Sequence, residues 1–239
     1  MARVLLPQGP MSDDEGTLLP LFPLSDFVHF PHTDIQIHVA EPRFHRLVCD
    51  VAGQRDEEKR WIGVVLMKPA WEGATSRPEV FPGGTAGRLV DVEFLPDGRS
   101  NVMLHGEFRF ELKRELATDP YPQALVRPIV EPQLDEADAG IQVVRGGIVQ
   151  TTRSLAAELG ESFPISSDEI EDLAGVSGFE ELVNRLASEL DLPALRKLQL
   201  LIESVPDRAL SVLSILRSRQ HVVDLLRPYR HLSQTCQLN

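Results

Sequence analysis

The sequence is poor in lysine, in cysteine and in long apolar runs, and each scarcity excludes a class of protein. The 24 Lys and Arg residues are outnumbered by 36 Asp and Glu, which gives a formal net charge of −12. Because phosphate binding draws on clustered basic side chains, this balance argues against a nucleic-acid partner. Two cysteines, Cys49 and Cys236, form neither a CxxC pair nor a disulfide framework.

Targeting and membrane signals are also missing from the sequence. No apolar run approaches the roughly 20 residues needed to span a bilayer, and the N-terminus lacks the charged-then-apolar pattern of a signal peptide. We therefore expect a cytoplasmic protein with no membrane association. Residues 1–16 are polar, acidic and proline-bearing, so we predict that they form a disordered leader.

The stretch from Leu19 to Asp50 predicts two strands followed by a helix. The first strand, Leu19–Leu24, contains two prolines, which favour an edge or a strand end. Residues 33–39 then alternate between apolar and polar side chains, as in a half-buried strand. Pro42 suits the first turn of a helix whose apolar face carries Phe44, Leu47, Val48 and Val51.

Further short strands follow, and together they predict a small, partly closed β-barrel around one helix. A buried strand at Trp61–Met67 precedes a long loop, Lys68–Gly84, which holds Trp71 and Phe81. Pro96-Asp97-Gly98 predicts a tight hairpin turn. The strands expected after the loop are Thr85–Phe94, Ser100–His105, a separate strand around Phe108–Leu112, and Gln123–Glu131.

The pattern becomes helical from Asp135 onward and predicts a bundle. Gly146 and Gly147 interrupt the first helix, which suggests that another backbone packs closely there. Ser177-x-x-Glu180 and Ser204-x-x-Asp207 predict two helix starts, and Pro193 falls in the first turn of a helix between them. We expect a β-barrel lobe over residues 17–132, a helical lobe over 133–232 and a short tail at 233–239.

Several of these segments resemble the LON peptidase N-terminal domain family. That family opens with LPLFPL and continues with a motif like HVFEPRYRxL, here His38-Val-Ala-Glu-Pro-Arg-Phe-His-Arg-Leu47. The resemblance extends through Gly84-Thr-Ala-Gly-Arg-Leu89, Gly106-Glu-Phe-Arg-Phe110 and Leu198-Gln-Leu-Leu-Ile-Glu203. It covers the chain from about residue 18 to the end. It implies an α+β fold, with an N-terminal PUA-like β pseudo-barrel that embeds one helix and a C-terminal helical bundle.

The resemblance also implies a non-catalytic module that recognises unfolded or damaged polypeptide, or a partner protein, in connection with ATP-dependent proteolysis. No glycine precedes any lysine, so the GxxxxGK[ST] phosphate loop of a motor is absent. The helical tail ends the sequence, leaving no room for a Ser–Lys peptidase domain, and no serine lies in GxSxG or SxxK. We therefore expect no catalytic activity and no cofactor; the partner protease and the oligomeric state stay open.

Aromatic side chains are the candidates for polypeptide binding. An exposed Trp71 or Phe81 on a loop offers a large contact area for apolar side chains, and Phe27 and Phe30 could extend that surface. The alternative is that these aromatics fold back and cap the barrel. Glu41 and Arg43, which flank Pro42, are expected to act structurally by tying the helix to the barrel, with direct contact to a substrate backbone as the alternative.

Two other functions are compatible with parts of the sequence. Four histidines between His29 and His45 allow a small metal-dependent hydrolase, although their spacing matches no zinc signature. His105-x-Glu107 is similar to a deaminase ligand-and-acid pair, but the PCxxC that such a site requires is missing. A PUA-like barrel also allows RNA binding, against which the negative charge counts.

Overall fold

The chain forms a β-barrel followed by a helical lobe in a computed structural model that describes residues 16–69, 79–116, 118–176 and 178–229. The strands are β1 Thr17–Leu24, β2 Asp34–Val39, β3 Trp61–Met67, β4 Val80–Phe94, β5 Ser100–Leu116 and β6 Gln123–Pro128. The helices are α1 Pro42–Ala52, α2 Ala139–Leu159, α3 Ser167–Val176, α4 Phe179–Glu189, α5 Ala194–Ile202 and α6 Val205–Leu226. The mixed α+β architecture agrees with the sequence prediction.

Five of the six strands close into a barrel. The sheet order is β2-β5-β4-β3-β1-β6, and β6 also pairs with β5, which joins the two ends of the five-stranded part. The second strand is left outside this ring, paired with β5 alone. In the part of the chain that the structure describes, β2 is therefore the terminal strand of the sheet, paired along its whole length on one side only.

The first strand lies inside the sheet and not at its edge, which corrects the interpretation of its prolines. Its first half pairs antiparallel with β6, where Pro20 lies opposite Gln123. Its second half pairs parallel with β3, where Pro23 lies opposite Val65. Because the strand changes partner midway, each half has a ladder on one side only, and the other side of that half needs no N–H from a proline.

Two long strands, β4 and β5, form the hairpin on which the barrel is built. The turn follows the prediction, since Gly98 has φ +83° and its N–H donates to the Leu95 carbonyl oxygen at 3.1 Å. The expected break after His105 is wrong, because β5 continues to Leu116 and bends through register shifts in its ladder with β4. Such bulges increase the local twist, so one strand can follow the curved wall.

One glycine of β5 is required by the path of the chain leading into β2. A Cβ atom on Gly106 would lie 2.2 Å from the Phe30 carbonyl oxygen and 3.0 Å from Pro31 Cα. The Gly106 N–H donates to the Thr33 carbonyl oxygen at 2.9 Å, and the Gly106 carbonyl oxygen accepts the His32 N–H at 2.8 Å. The segment before β2 is thereby held directly against β5.

Helix α1 packs on the barrel as predicted. Pro42 occupies its first turn, and Phe44, Leu47, Val48 and Val51 are buried. These four side chains join apolar residues of the barrel wall in one cluster, which includes Val39 of β2. Burial of each such side chain stabilises the fold by roughly 1.5–3 kcal/mol.

The helical lobe has its own core, formed mainly between α2 and α6. Gly147 lies against the Leu213 side chain, 3.3 Å from the position of its missing Cβ, whereas nothing lies within 4 Å of that position on Gly146. The expected contact with another backbone is therefore wrong: a leucine side chain fills the space at Gly147. Among the described residues, no helix is long and apolar enough to cross a bilayer.

The helix starts follow the sequence in part. Ser204 begins α6, and its hydroxyl accepts the Asp207 N–H at 3.3 Å. Pro193 precedes α5 as its N-cap. Helix α4 begins after Gly178, and the Phe179 N–H donates to the Glu136 carboxylate at 3.0 Å. Ser177, the predicted cap of α4, lies outside the described residues.

Two buried arginines bind the turn between α5 and α6, one from the barrel and one from the helical lobe. Arg109 of β5 is 3 % exposed, donates to the Glu203 carbonyl oxygen at 2.8 Å, and pairs with Glu131. Arg208 of α6 is fully buried and donates to the carbonyl oxygens of Leu200 at 2.8 Å and Glu203 at 2.9 Å. Burial lowers the pKa of Arg208 to about 9, which leaves it charged at pH 7. Arg109 thus links β5 to the helical lobe by a charge-assisted hydrogen bond, and Arg208 holds the turn that receives it.

Candidate functional site

The aromatic residues proposed for polypeptide binding have different environments. Phe30 is fully buried and packs in the core of the helical lobe, so it cannot contribute to an exposed surface. Phe81 is half-buried in β4 and not in a loop, and it packs against the same core. Trp71 lies outside the described residues and stays a prediction. Phe30 and Phe81 thus pack inward, as the alternative expected, but against the core of the helical lobe and not as a cap on the barrel.

Phe27 is the exception, because 38 % of its surface is exposed. It lies between β1 and β2 and borders a cavity of about 520 Å³. Leu24 and Ile37 line the same cavity and add apolar surface beside it. Among the described residues, the predicted aromatic surface is therefore reduced to Phe27, with Leu24 and Ile37 as its apolar neighbours.

The outer edge of β2 forms one wall of this cavity. In the pairing with β5, Ile35 lies opposite Leu104 and Ile37 opposite Val102, and the Thr33 carbonyl oxygen accepts the Gly106 N–H at 2.9 Å. Hydrogen-bonded pairs alternate along an antiparallel ladder. In this register, the odd-numbered residues of β2 direct their backbone N–H and C=O groups toward β5. The backbone groups of residues 34, 36 and 38 face the outer edge.

Nothing within the described ranges occupies that edge with a strand of its own. The side chains of Asp34, Gln36 and His38 are exposed, while Ile35 and Val39 point into the core. Across the cavity lie Ser188 and Glu189, at the end of α4. The result is a groove between the barrel and the helical lobe, with unpaired backbone donors and acceptors along one wall. We call it the β2 groove.

A second cavity, of about 360 Å³, adjoins the β2 groove at the N-terminal end of β2. Asp34 and Glu189 line both spaces, so the two cavities lie side by side. The second cavity lies between the barrel and helices α3 and α4. Its charged lining consists of Asp34, Glu169, Glu181, Glu189 and Arg185, together with His32 and His105. Negative side chains therefore predominate in this part of the site.

The histidines considered as metal ligands are held separately. The His29 ring is 1 % exposed, and its Nε2 is 2.9 Å from the Thr33 carbonyl oxygen. His38 Nδ1 lies 2.8 Å from Asn101 Oδ1, and His45 Nδ1 lies 2.6 Å from Ser100 Oγ. The described residues contain no group of three or more His, Cys, Asp or Glu placed to hold a metal ion. The structure therefore does not gather the histidine-rich stretch into one centre.

Glu41 and Arg43 form a local ion pair, with Arg43 Nε 2.8 Å from Glu41 Oε2. The guanidinium also lies 4.6 Å from the centre of the Phe44 ring, a cation–π contact. Arg43 borders another cavity, of about 410 Å³, opposite Tyr121 and away from the β2 groove. The ion pair joins the helix to its own N-cap residue. The helix is linked to the barrel by its buried apolar face and by polar contacts such as that between His45 and Ser100.

Sequence reasoning missed the exposed edge of β2, although part of the signal was present. The alternation of residues 33–39 predicted a half-buried strand, but a strand pattern does not reveal which neighbours it pairs with. The edge position depends on β6 pairing with both β1 and β5. The opposite wall comes from α4, about 150 residues later in the chain.

Comparison with known proteins gives a consistent assignment. The family model described as the ATP-dependent protease La (LON) substrate-binding domain matches residues 18–218. A Lon protease of Flavobacterium johnsoniae is 27 % identical over 197 residues, which is 82 % of this chain and 23 % of that protein. Lon protease 2 of Sorangium cellulosum is 30 % identical over 61 % of this chain and 17 % of its own length. The chain thus spans about a quarter or less of these relatives.

Solved structures agree with the fold. A Lon N-terminal domain protein from Xanthomonas campestris superposes with a TM-score of 0.58 at 24 % identity, covering 83 % of this chain and 98 % of the other. The N-terminal domain of a Mycobacterium avium complex Lon protease superposes with a TM-score of 0.64 at 13 % identity, covering 84 % and 98 %. Together with the family match over most of its length, these likenesses show that the chain belongs to the LON substrate-binding domain family.

Proposed function

We propose that this protein is a non-catalytic polypeptide-recognition module that binds extended segments of unfolded or damaged proteins along the β2 groove. The observation that carries the proposal is the unpaired edge of β2 beside a cavity of about 520 Å³. An extended segment can add to such an edge as a further strand, with main-chain hydrogen bonds providing affinity. Family membership supports the same class of function.

The groove suits an unfolded segment better than a folded surface. Residues 34–38 offer outward-facing backbone groups at positions 34, 36 and 38, enough for a segment of about five residues at roughly 3.3 Å per residue. A folded protein has most of its backbone groups paired already, whereas an unfolded chain presents them freely. Phe27, Leu24 and Ile37 provide apolar contact for an alternate side chain of the bound segment.

The test is fluorescence anisotropy with a labelled, permanently unfolded protein and its native counterpart. The wild-type chain is expected to bind the unfolded form alone. Gln36→Pro removes one outward-facing N–H without touching the bonds to β5, because proline is tolerated on an edge strand whose N–H faces away from its partner. We expect this variant to lose at least about tenfold in affinity, since the missing donor and the proline ring both oppose strand addition.

Gln36→Thr is the matched control, because it changes the same side chain and keeps the N–H. It is expected to bind like the wild type, and circular dichroism checks that both variants are folded. Equal binding by Gln36→Pro and Gln36→Thr would show that the β2 edge is not the binding surface. Absence of binding by the wild type to either form would contradict the proposed function.

We propose further that binding is linked to ATP-dependent proteolysis by a separate protease, because the relatives are named Lon proteases. The chain would act either as an adaptor that delivers a substrate or as a competitor that withholds it. Adding the protein to a purified Lon protease with ATP and a labelled unfolded substrate should change the degradation rate. An unchanged rate at saturating concentrations of the chain would contradict this link, while leaving polypeptide binding itself intact.

A further inference from the structure

The charge of the cavity beside the β2 groove indicates which polypeptides would be preferred. Four carboxylates line this cavity of about 360 Å³, and Arg185 is the opposing cation in its lining. The protein as a whole is also acidic, with a formal net charge of −12. A bound segment that carries a positive side chain toward this cavity would therefore meet complementary charge, both locally and on approach.

The carboxylates differ in how far they are already engaged. Asp34 lies 2.6 Å from His105 Nδ1, and Glu181 lies 3.5 Å from Arg185. Glu169 accepts bonds from the Ser166 N–H at 2.8 Å and the Ser166 hydroxyl at 2.7 Å, which cap the start of α3. Glu189 is exposed at the end of α4 and lines both spaces.

The positions of these groups relative to β2 restrict where the positive side chain would lie. Asp34 is the first residue of β2, and Glu189 stands across the groove from it. A strand added to the β2 edge would pass beside Asp34, where the groove adjoins the second cavity. Side chains of successive strand residues point to opposite faces, so every second side chain of the segment could enter this cavity.

We infer that the β2 groove selects extended polypeptide segments with a lysine or arginine side chain placed near Asp34 and Glu189. This inference rests on the proposed function, because it names the class of segment that the same groove would take. The unpaired edge of β2 provides sequence-independent binding, and the carboxylates add a preference for positive charge. Segments with an acidic residue at the same place are disfavoured by like-charge repulsion.

The experiment compares three labelled twelve-residue peptides built from Ser, Thr and Val, with a central Lys, Gln or Glu. Anisotropy titrations with the full chain at 50 mM salt are expected to give the order Lys, then Gln, then Glu. We expect the Lys and Gln peptides to differ by about three- to tenfold, as for a partly exposed charge pair. The difference should shrink at 500 mM salt because exposed charges are screened.

Variants identify the groups that cause the preference. Asp34→Asn combined with Glu189→Gln should reduce affinity for the Lys peptide by about three- to tenfold and leave the Gln peptide unchanged. Glu57→Gln combined with Glu58→Gln, before β3, changes the net charge equally and lies away from the groove. It is the matched control and should preserve the preference. Arg185→Gln should increase affinity for the Lys peptide.

The outcomes separate this inference from the proposed function. Equal affinity for the Lys and Gln peptides, with binding still lost in Gln36→Pro, would overturn the charge preference and leave polypeptide binding supported. A preference that persists in Asp34→Asn/Glu189→Gln would overturn the assignment to these carboxylates. Failure of all three peptides and of the unfolded protein to bind would overturn the proposed function itself.

Discussion

Lowering the pH should destabilise this protein through His29, whose buried ring contacts the backbone just before β2. The ring is 1 % exposed, its Nε2 lies 2.9 Å from the Thr33 carbonyl oxygen, and its Nδ1 has no hydrogen-bond partner in the described structure. Burial lowers the pKa of His29 from 6.5 to about 4, because a charged imidazole would lose its hydration there. The histidine is therefore neutral in the folded protein near pH 7.

The sign of the effect follows from linkage between protonation and folding. Between pH 6.5 and 4 the unfolded chain binds a proton at His29 that the folded protein does not, so the free energy of unfolding falls as the pH is lowered through this range. With these two pKa values the loss from His29 is about 2 kcal/mol at pH 5 and about 3 kcal/mol at pH 4. That is a large part of the stability of a typical domain.

Urea unfolding followed by circular dichroism at pH 7 and pH 5 measures this loss. His29→Gln keeps a side-chain donor for the Thr33 carbonyl oxygen and removes the titrating group. Its free energy of unfolding should fall by about 2 kcal/mol less than that of the wild type between the two pH values. If both proteins lose the same amount, His29 is not the group responsible, and the reasoning from its burial is wrong.

Two further predictions concern the barrel. Gly106→Ala should destabilise the protein by about 2 kcal/mol or more, because the added Cβ would lie 2.2 Å from the Phe30 carbonyl oxygen, a backbone atom that cannot move freely. Gly146→Ala is its control, because nothing lies within 4 Å of the added Cβ in α2. Thermal unfolding should show that this variant gains up to about 1 kcal/mol of stability. A loss of stability like that of Gly106→Ala would refute the steric argument. Arg43→Ala should lower stability by about 1 kcal/mol or less, because it removes an exposed ion pair and a contact over the Phe44 ring; an unchanged melting temperature would show that Arg43 has no structural role.

Local patterns in the sequence were sufficient for most of the elements. The helix beginning at Pro42, the turn at Gly98 and the start of α6 at Ser204 all follow from short-range chemistry that the residues themselves specify. The prolines of β1 misled the prediction because each proline affects hydrogen bonding only in its own half of the strand, and the two halves have different partners. The strand lies inside the sheet because its first half pairs with β6 and its second half with β3. No local sequence pattern specifies that change of partner.

The candidate site was less accessible to sequence reasoning than the fold. Phe30 and Phe27 are equally apolar and three residues apart, yet one is fully buried and the other partly exposed. Their difference depends on the helical lobe, whose core receives Phe30. The β2 groove likewise requires α4 to lie across from β2. These positions depend on contacts between segments that are far apart in the sequence, so composition and periodicity do not determine them.

The wall that α4 forms opposite the β2 edge has a consequence for stoichiometry. An exposed sheet edge in open solvent can recruit one chain after another, since each added strand offers a new edge. Here Ser188 and Glu189 of α4 line the same groove as the β2 edge, so a helix end borders the space beside that edge. On the proposed function, we therefore expect a complex of one chain with one bound segment, in which α4 opposes the addition of a further strand.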